Sequence, residues 1–210
     1  MSDLVLDISN NQGAINVAPA VAWGVKALIA KATEGTTFTD GFFGANREQA
    51  RRLNIPFGAY HFFRPGQSAV DQADHFCTVV QSLGTSDLRP VLDYETGGPQ
   101  TAAQKLLDIR LFSQQVHARL KVYPIFYSYS AFLPQLAMSK TVCDGLWLAN
   151  YGPDDGTEHP FPVPAPWKKV ALHQFTSKGK IPGYSSDVDL SYGNLKALYA
   201  HPWKMRLKLV

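Results

Sequence analysis

The chain is poor in sulfur, in charge and in long apolar runs. Only two of its 210 residues are cysteine, Cys77 and Cys143. They form no C-x-x-C pair, so redox and cysteine-metal readings lack their signature. Each sits among apolar neighbours, and two buried free thiols suit synthesis in a reducing compartment. No run approaches the ~18 apolar residues that span a bilayer. The opening residues, Met1-Ser2-Asp3-Leu4-Val5, show no basic segment followed by a long apolar one, so no secretory leader is expected. G-x-G-x-x-G, Walker and G-x-S-x-G patterns are all missing, which removes the signatures of nucleotide binding and of serine hydrolysis. Internal repeats and low-complexity linkers are missing too. Charged residues make up 18%, with a formal charge of +3 and a pI near 8.8. That is too weak an excess for a nucleic-acid footprint, though it favours an anionic surface such as a cell wall.

What is present is enough apolar mass for one core: 45% of residues are hydrophobic and 12% aromatic. Eight apolar, β-branched or aromatic runs recur at residues 4–9, 25–33, 56–63, 91–95, 122–128, 146–151, 170–176 and 188–192. They read as strands buried on both faces. Helical spacing appears between the early ones, at 42–53, 68–83 and 101–120. A short helix is expected near 131–138 and a turn at 17–23. Val70, Ala73, Cys77, Val80 and Leu83 form one stripe, and Leu106, Ile109, Phe112, Val116 and Leu120 another. Ser68 with Asp71 and Thr101 with Gln104 read as helix caps. Beyond residue 151 the helical pattern stops, and Pro160, Pro162, Pro164 and Pro166 break the chain into a loop. Strand–helix alternation predicts parallel βαβ units. The fold class is therefore α/β: an irregular (β/α)5(β)3 TIM-like barrel of eight strands, with an open doubly wound sheet as the alternative. One domain is expected over 1–195. A short basic tail follows over 196–210, with no separate wall-binding domain.

In such a barrel, functional groups gather where strands end. The first run ends in Asp7, followed by Asn10, Asn11 and Gln12. The second ends in Lys31-Ala32-Thr33-Glu34, and the third contains Tyr60-His61. The fourth ends in Asp93-Tyr94-Glu95, and the last carries Asp187 and Asp189. Side chains alternate along a strand, so Asp93 and Glu95 point one way and Tyr94 the other. Their Cα atoms would lie roughly 6.5–7 Å apart. Acids at several strand ends repel one another, which raises carboxyl pKa values and suits acid–base work at a sugar acetal. Each residue also has a plain reading. Glu34 either binds substrate or pairs with Lys31 or Arg64. Tyr60 is either a site residue or core, while His61 reads as a satisfied core histidine. Trp147 and Tyr151 either line a sugar groove or pack in the core, and Tyr127 joins them as a candidate.

These segments resemble the glycoside hydrolase family 25 lysozymes, the Chalaropsis-type muramidases of phages, bacteria and fungi. The resemblance runs through Asp7-Ile8-Ser9-Asn10-Asn11-Gln12-Gly13, Lys31-Ala32-Thr33-Glu34-Gly35 and Gly58-Ala59-Tyr60-His61-Phe62. It continues through Asp93-Tyr94-Glu95, Leu146-Trp147-Leu148-Ala149-Asn150-Tyr151, His173-Gln174-Phe175-Thr176 and Val188-Asp189-Leu190. It implies the same irregular barrel, and hydrolysis of the β-1,4 bond between N-acetylmuramic acid and N-acetylglucosamine in peptidoglycan. Carried over by position, Glu95 is the general acid/base, Asp93 its partner, Asp7 and Asp189 further site acids, and Tyr60 a site tyrosine. No cofactor or metal is implied.

The expected chemistry keeps Glu95 protonated by the nearby charges of Asp93 and Asp7, with Asp93 ionised. Net retention is expected. Either Asp93 attacks the anomeric carbon, or the substrate's own 2-acetamido oxygen attacks while Asp93 orients it. Two acids on one strand favour the second route. The competing readings are a non-catalytic glycan-binding or virion structural barrel, and a chitinase-like hydrolase. The expected partner is the glycan strand of peptidoglycan, acted on by a monomer. The expected setting is a phage lysin released through a pore or carried in a virion, or a bacterial protein exported by another route.

Overall fold

The structure, a computed structural model, describes residues 2–84, 86–136 and 143–200. The chain winds as β1 (Asp3–Ile8), α1 (Ala18–Trp23), β2 (Ala27–Glu34), a two-residue β3 (Phe38–Thr39), α2 (Phe43–Arg52), β4 (Phe57–Phe62) and α3 (Ala69–Ser82). Next come β5 (Val91–Asp93), α4 (Ala102–Leu120), β6 (Ile125–Tyr129) and a 3-10 turn at Leu133–Leu136. The last third is β7 (Leu146–Ala149), β8 (Leu172–Gly179), β9 (Val188–Gly193) and a short α5 (Leu195–Leu198). All eight predicted strands are present.

The strands run β1-β2-β4-β5-β6-β7-β8-β9 and return to β1, closing an eight-stranded barrel; β3 hooks onto the rim of β2. Neighbours from β1 to β8 are parallel, whereas β9 is antiparallel to both β8 and β1. The sequence does not foretell this reversal. It follows from the short connection after β8, which has no crossover helix to carry the chain back. β9 therefore brings its beginning, not its end, to the rim where the parallel strands finish.

Alternation divides the side chains into two layers. Val5, Ala27, Ile29, Val91, Ile125, Trp147 and Leu172 pack together inside the barrel. Leu6, Ile8, Leu28, Ala30, Leu92, Phe126 and Leu148 face the helices. The α4 stripe supplies Ile109, Phe112 and Val116 to that outer layer, all fully buried, and α3 supplies Ala73, Phe76, Cys77 and Val80. Thr101 and Gln104 close a full capping box on α4, while Ser68 caps α3 through the Asp71 amide alone. His61 sits in this outer layer as a core histidine. It bonds Thr33 Oγ1 at 2.7 Å and Gln72 Oε1 at 3.1 Å, and burial pushes its pKa down to about 3.

Three expectations need correction. The turn at 17–23 is a full helical turn, α1. The helix near 131–138 is the 3-10 turn, with residues 137 and 138 outside the described region. The tail does not begin at 196: Leu195, Leu198 and Ala200 are buried under the barrel, and Leu198 O accepts from Arg89 N at 2.7 Å. Residues 201–210 lie outside the described residues. Both cysteines are free, but only Cys77 is fully buried; Cys143 is half-buried, its Sγ 3.4 Å from Ser113 Oγ.

Closure depends on tight backbone approach at Gly193, which pairs with Asp3 on one side and Leu172 on the other. A β-carbon there would lie 2.5 Å from Ala171 O and press on Leu172 Cδ2. Gly193→Ala should destabilise the fold by about 1–3 kcal/mol. Gly41→Ala, where a β-carbon meets nothing within 4 Å, should stay within about 0.5 kcal/mol of wild type. Urea melts of the two variants check this; equal midpoints would show that closure at Gly193 has slack.

Candidate active site

The rim at the ends of the parallel strands is a cleft. Its lining includes Asp7, Lys31, Tyr60, Asp93, Glu95, Tyr127, Trp147, Gln174 and Asp189, together with Ser9, Asn11, Gln12 and Phe62. Register explains the convergence. Asp7 pairs with Asp189, Lys31 with Tyr60, and Asp93 with Tyr127, which pairs in turn with Trp147. Apart from Trp147, which belongs to the apolar inner layer, these are polar or hydroxyl-bearing inward positions at or just above that layer. The barrel interior thus changes from aliphatic to polar along each strand. Four of the candidate acids meet here. Tyr94, between two of them, points outward and is fully buried against Phe63 and Phe132.

Glu34 does not line the cleft. A register shift between Lys31 and Thr33 inserts a bulge into β2, so Lys31 and Glu34 share a face that a regular strand would deny to i, i+3 neighbours. Lys31 Nζ meets Glu34 Oε2 at 2.5 Å, and Arg64 Nε meets Oε1 at 2.6 Å. Burial acts to raise the Glu34 pKa, but the bonds from Lys31 and Arg64 together outweigh it and hold the carboxyl below its ordinary value. Lys31 is further fixed between the rings of Phe38 (5.4 Å) and Phe62 (4.9 Å). Glu34 therefore anchors the one cation that lines the cleft among the described residues.

Gln174 and Lys31 were not foreseen as site residues in their own right. Gln174 is buried, and its Nε2 faces both Asp7 carboxyl oxygens at 3.2 Å. Its Oε1 accepts from Tyr127 Oη and Tyr151 Oη, each at 2.8 Å. Tyr151 thus borders the cleft through Gln174. The signal was available: an amide between Leu172 and Phe175 in a buried strand needs a partner, as Asp189 does between Val188 and Leu190. Trp147 is a fixed wall, its Nε1 donating to Ser191 Oγ at 3.0 Å and its ring edge-on to Tyr127 at 5.0 Å.

All four site carboxyls have raised pKa values, and burial is the first cause in each. Asp7 is raised next by Asp189, against the Gln174 bond. Asp93 is raised next by Glu95, against Lys31. Glu95 is raised by burial against Lys31 and a hydrogen bond with Tyr127. Asp189 reaches about 6, helped by the charges of Glu95 and Asp154. Two expectations change. Desolvation, more than the charges of Asp93 and Asp7, raises Glu95. Asp93 is not the ordinary low-pKa carboxylate expected, because burial pushes its carboxyl well above the usual range. Its Oδ1 is buried and makes no hydrogen bond among the described residues.

Crowded, buried acids oppose folding when ionised. Burial holds the Asp189 carboxyl up at about 6 in the folded chain, above the ordinary 3.8 that it regains on unfolding. A raised folded pKa means the penalty is full above about 6 and gone below 3.8. Asp189→Asn should therefore stabilise the fold at pH 8, on the order of 1–2 kcal/mol, with the gain fading as pH falls through that window. Thermal melts at pH 8 and pH 4 measure it. A gain that is the same at both would mean the carboxylate carries no folding penalty.

The model of the glycosyl hydrolases family 25 matches residues 6–184. Lysozyme M1 of Streptomyces globisporus is 30% identical over 196 residues, covering 88% of this chain and 65% of that protein. The N,O-diacetylmuramidase of Chalaropsis sp is 29% identical over 210 residues, covering 91% and 96%. Among solved structures, the catalytic domain of endolysin ply40, from bacteriophage P40 of Listeria monocytogenes, superposes with a TM-score of 0.81 at 26% identity, covering 99% and 98%. The chain thus spans just under two thirds of lysozyme M1 and nearly all of the fungal enzyme. A barrel closed by an antiparallel eighth strand, with its acids at the rim and a family match over most of its length, belongs to the glycosyl hydrolases of family 25, the family of these lysozymes.

Proposed function

We propose that this protein is an N-acetylmuramidase that hydrolyses the β-1,4 bond between N-acetylmuramic acid and N-acetylglucosamine in peptidoglycan, with net retention. The observation that carries the mechanism is Asp93 Oδ1, a buried carboxyl oxygen with no hydrogen-bond partner among the described residues, beside Glu95 in the cleft. Leaving a buried acceptor unpaired costs about 1–3 kcal/mol, so the free lone pair is best understood as held for a donor on the substrate. The N–H of a 2-acetamido group is such a donor. Accepting from it aligns the acetamido oxygen with the anomeric carbon, and a raised pKa makes Asp93 the stronger acceptor as positive charge grows on the amide.

Glu95 is the general acid/base. Burial raises its pKa and so favours the proton-bearing form, while Lys31 and the Tyr127 hydroxyl temper that rise. It protonates the leaving oxygen, the acetamido oxygen bonds to the anomeric carbon, and a water deprotonated by Glu95 then opens that intermediate from the original face. Two inversions give retention. Asp7 and Asp189 supply the negative field that favours an oxocarbenium-like centre. Tyr60 and Trp147 form walls of the sugar site, with Tyr127 and Tyr151 as hydroxyl-bearing neighbours; Glu34 acts on this site through Lys31. The names of the fungal and phage relatives support the bacterial cell wall as the target. We place the protein there as a monomer, either as a phage lysin released through a pore or carried in a virion, or as a bacterial protein exported by another route. The barrel is taken as the catalytic domain.

Glu95→Gln should lower release of reducing ends from purified peptidoglycan by about 10²–10⁴-fold; near-wild-type release would remove Glu95 from the acid role. Asp93→Asn should cost on the order of 10²-fold or more while leaving the thermal melt intact. NMR of the first product should show the β-anomer; an α-anomer would sink retention. Mass spectrometry should find muramic acid at the new reducing ends, and glucosamine there would reassign the bond.

A further inference from the structure

Lys31 lines the cleft, and the chemistry proposed above gives it no step. Its side chain is buried, where an ammonium group needs partners. Glu34 supplies only part of that need. Lys31 Nζ has three donors and spends one on Glu34 Oε2 at 2.5 Å. Arg64 Nε takes the other oxygen, Oε1, at 2.6 Å. One carboxylate is thus shared by two cations, which leaves one positive charge unanswered in the trio. The remaining Lys31 donors meet no hydrogen-bond acceptor among the described residues. The rings of Phe62 and Phe38 lie within cation–π reach of Nζ, at 4.9 Å and 5.4 Å. Phe62 also carries the Arg64 guanidinium at 4.8 Å, and it lines the cleft itself.

Place in the barrel says what these donors reach. Asp93 ends β5 and Glu95 follows it, while Lys31 is on β2, with β4 alone between the two strands. Lys31 pairs with Tyr60, and Tyr60 in turn with Val91 at the start of β5. Two strand spacings amount to roughly 10 Å, a gap that one substituted sugar ring fills. On a muramoyl ring the 2-acetamido group and the 3-O-lactyl ether leave adjacent carbons. With the acetamido N–H on Asp93, the lactyl arm has either the acids or the cation to meet. Asp7 and Asp189 pair across β1 and β9 and repel a carboxylate. Lys31 attracts one, and no other cation lines the cleft among the described residues.

We infer that Lys31 is a specificity residue: its unspent ammonium donors take the lactyl carboxyl oxygen of the muramoyl unit whose bond is cut. This rests on the muramidase reading above and deepens it. N-acetylglucosamine carries a hydroxyl where the lactyl arm would be, and that hydroxyl stops short of Lys31. The cleft thereby prefers muramic acid at this position by an attraction on one side and by the repulsion of its acids on the other. The lactyl carboxyl is a carboxylate on strands without stem peptides and an amide carbonyl on strands that bear them. Both offer an acceptor oxygen, and the carboxylate adds charge. Glu34 and Arg64 are positioning residues here. Glu34 holds the ammonium at the cleft wall, and Arg64 takes up enough of the Glu34 charge to leave Lys31 cationic toward the substrate.

The test compares kcat/KM of wild type and Lys31→Met on three soluble substrates of matched length. These are peptidoglycan glycan fragments freed of stem peptides, the same fragments with each lactyl carboxylate converted to its methyl amide, and N-acetylglucosamine oligomers. Wild type should favour the carboxylate over the amide by about tenfold, the margin of a charged over a neutral hydrogen bond. Lys31→Met should lose about 10–100-fold on the carboxylate and treat carboxylate and amide alike. Its ratio of muramic fragments to glucosamine oligomers should fall with that loss. Lys31 also tempers the pKa values of Asp93 and Glu95, but that effect is common to all substrates and cancels in the ratios. Ratios unmoved by Lys31→Met would overturn the inference. Lys31→Arg keeps the charge and should keep the preference for carboxylate. If the methionine variant does not fold, as judged by circular dichroism, wild type decides: equal rates on carboxylate and amide overturn the inference. If neither enzyme cuts glucosamine oligomers, the carboxylate-to-amide ratio alone is read. Mass spectrometry of the wild-type products separates the two readings. Glucosamine at the new reducing ends sinks the muramidase reading and this one with it; muramic acid there with unmoved ratios sinks only the role of Lys31.

Discussion

Strand register forces four carboxyl groups into one end of a barrel that is otherwise lined with aliphatic side chains. Asp7, Asp93 and Asp189 occupy inward positions one step above the inner core, and Glu95 follows Asp93 past the strand end. Desolvation then opposes their ionisation more than their mutual repulsion does. The neighbouring structure answers this cost. Gln174 donates to Asp7, Tyr127 bonds Glu95, and Lys31 opposes the charge on Asp93 and Glu95. One buried carboxyl oxygen, Asp93 Oδ1, is left without a hydrogen-bond partner among the described residues.

The cation is managed as closely as the acids. A free lysine at the rim would fold over onto Asp93 and Glu95 and hold both as carboxylates. The bulge in β2 instead turns Glu34 onto the same face as Lys31, and Arg64 closes the other side of Glu34. The rings of Phe38 and Phe62 also lie within cation–π reach of the ammonium group. Lys31 is near enough to temper the cleft and too well engaged elsewhere to neutralise it. Under this rim lies an outer layer in which Phe63 stacks on Tyr94 and His61 on Phe112, with Phe63 edge-on to Phe112.

Much of the fold is legible because buried parallel strands leave apolar runs and crossover helices leave stripes. The runs at 91–95 and 146–151, and the α4 stripe with its Thr101–Gln104 cap, need only local patterns to be recognised. What the sequence hides is relational. The reversal of β9 depends on how the chain returns after β8. The pairing of Leu88 with Tyr199, and the burial of Leu198 beneath the barrel, depend on a surface formed by other strands. Lys31 and Gln174 carry no local sign of a site role, because each reads in sequence as an ordinary strand residue with a polar end.

The sequence by itself determined which acids sit at strand ends, that Asp93 and Glu95 share a face while Tyr94 opposes them, and that strands and helices alternate as in an α/β fold. Periodicity encodes those facts, and periodicity is local. Only the tertiary structure decided which acids meet, how far burial shifts them, and that Glu34 serves Lys31 instead of lining the cleft. It also decided that Gln174, far from Asp7 and Tyr127 in sequence, holds both. Desolvation and hydrogen-bond competition depend on neighbours in space, and those neighbours exist only once the eighth strand has closed the barrel.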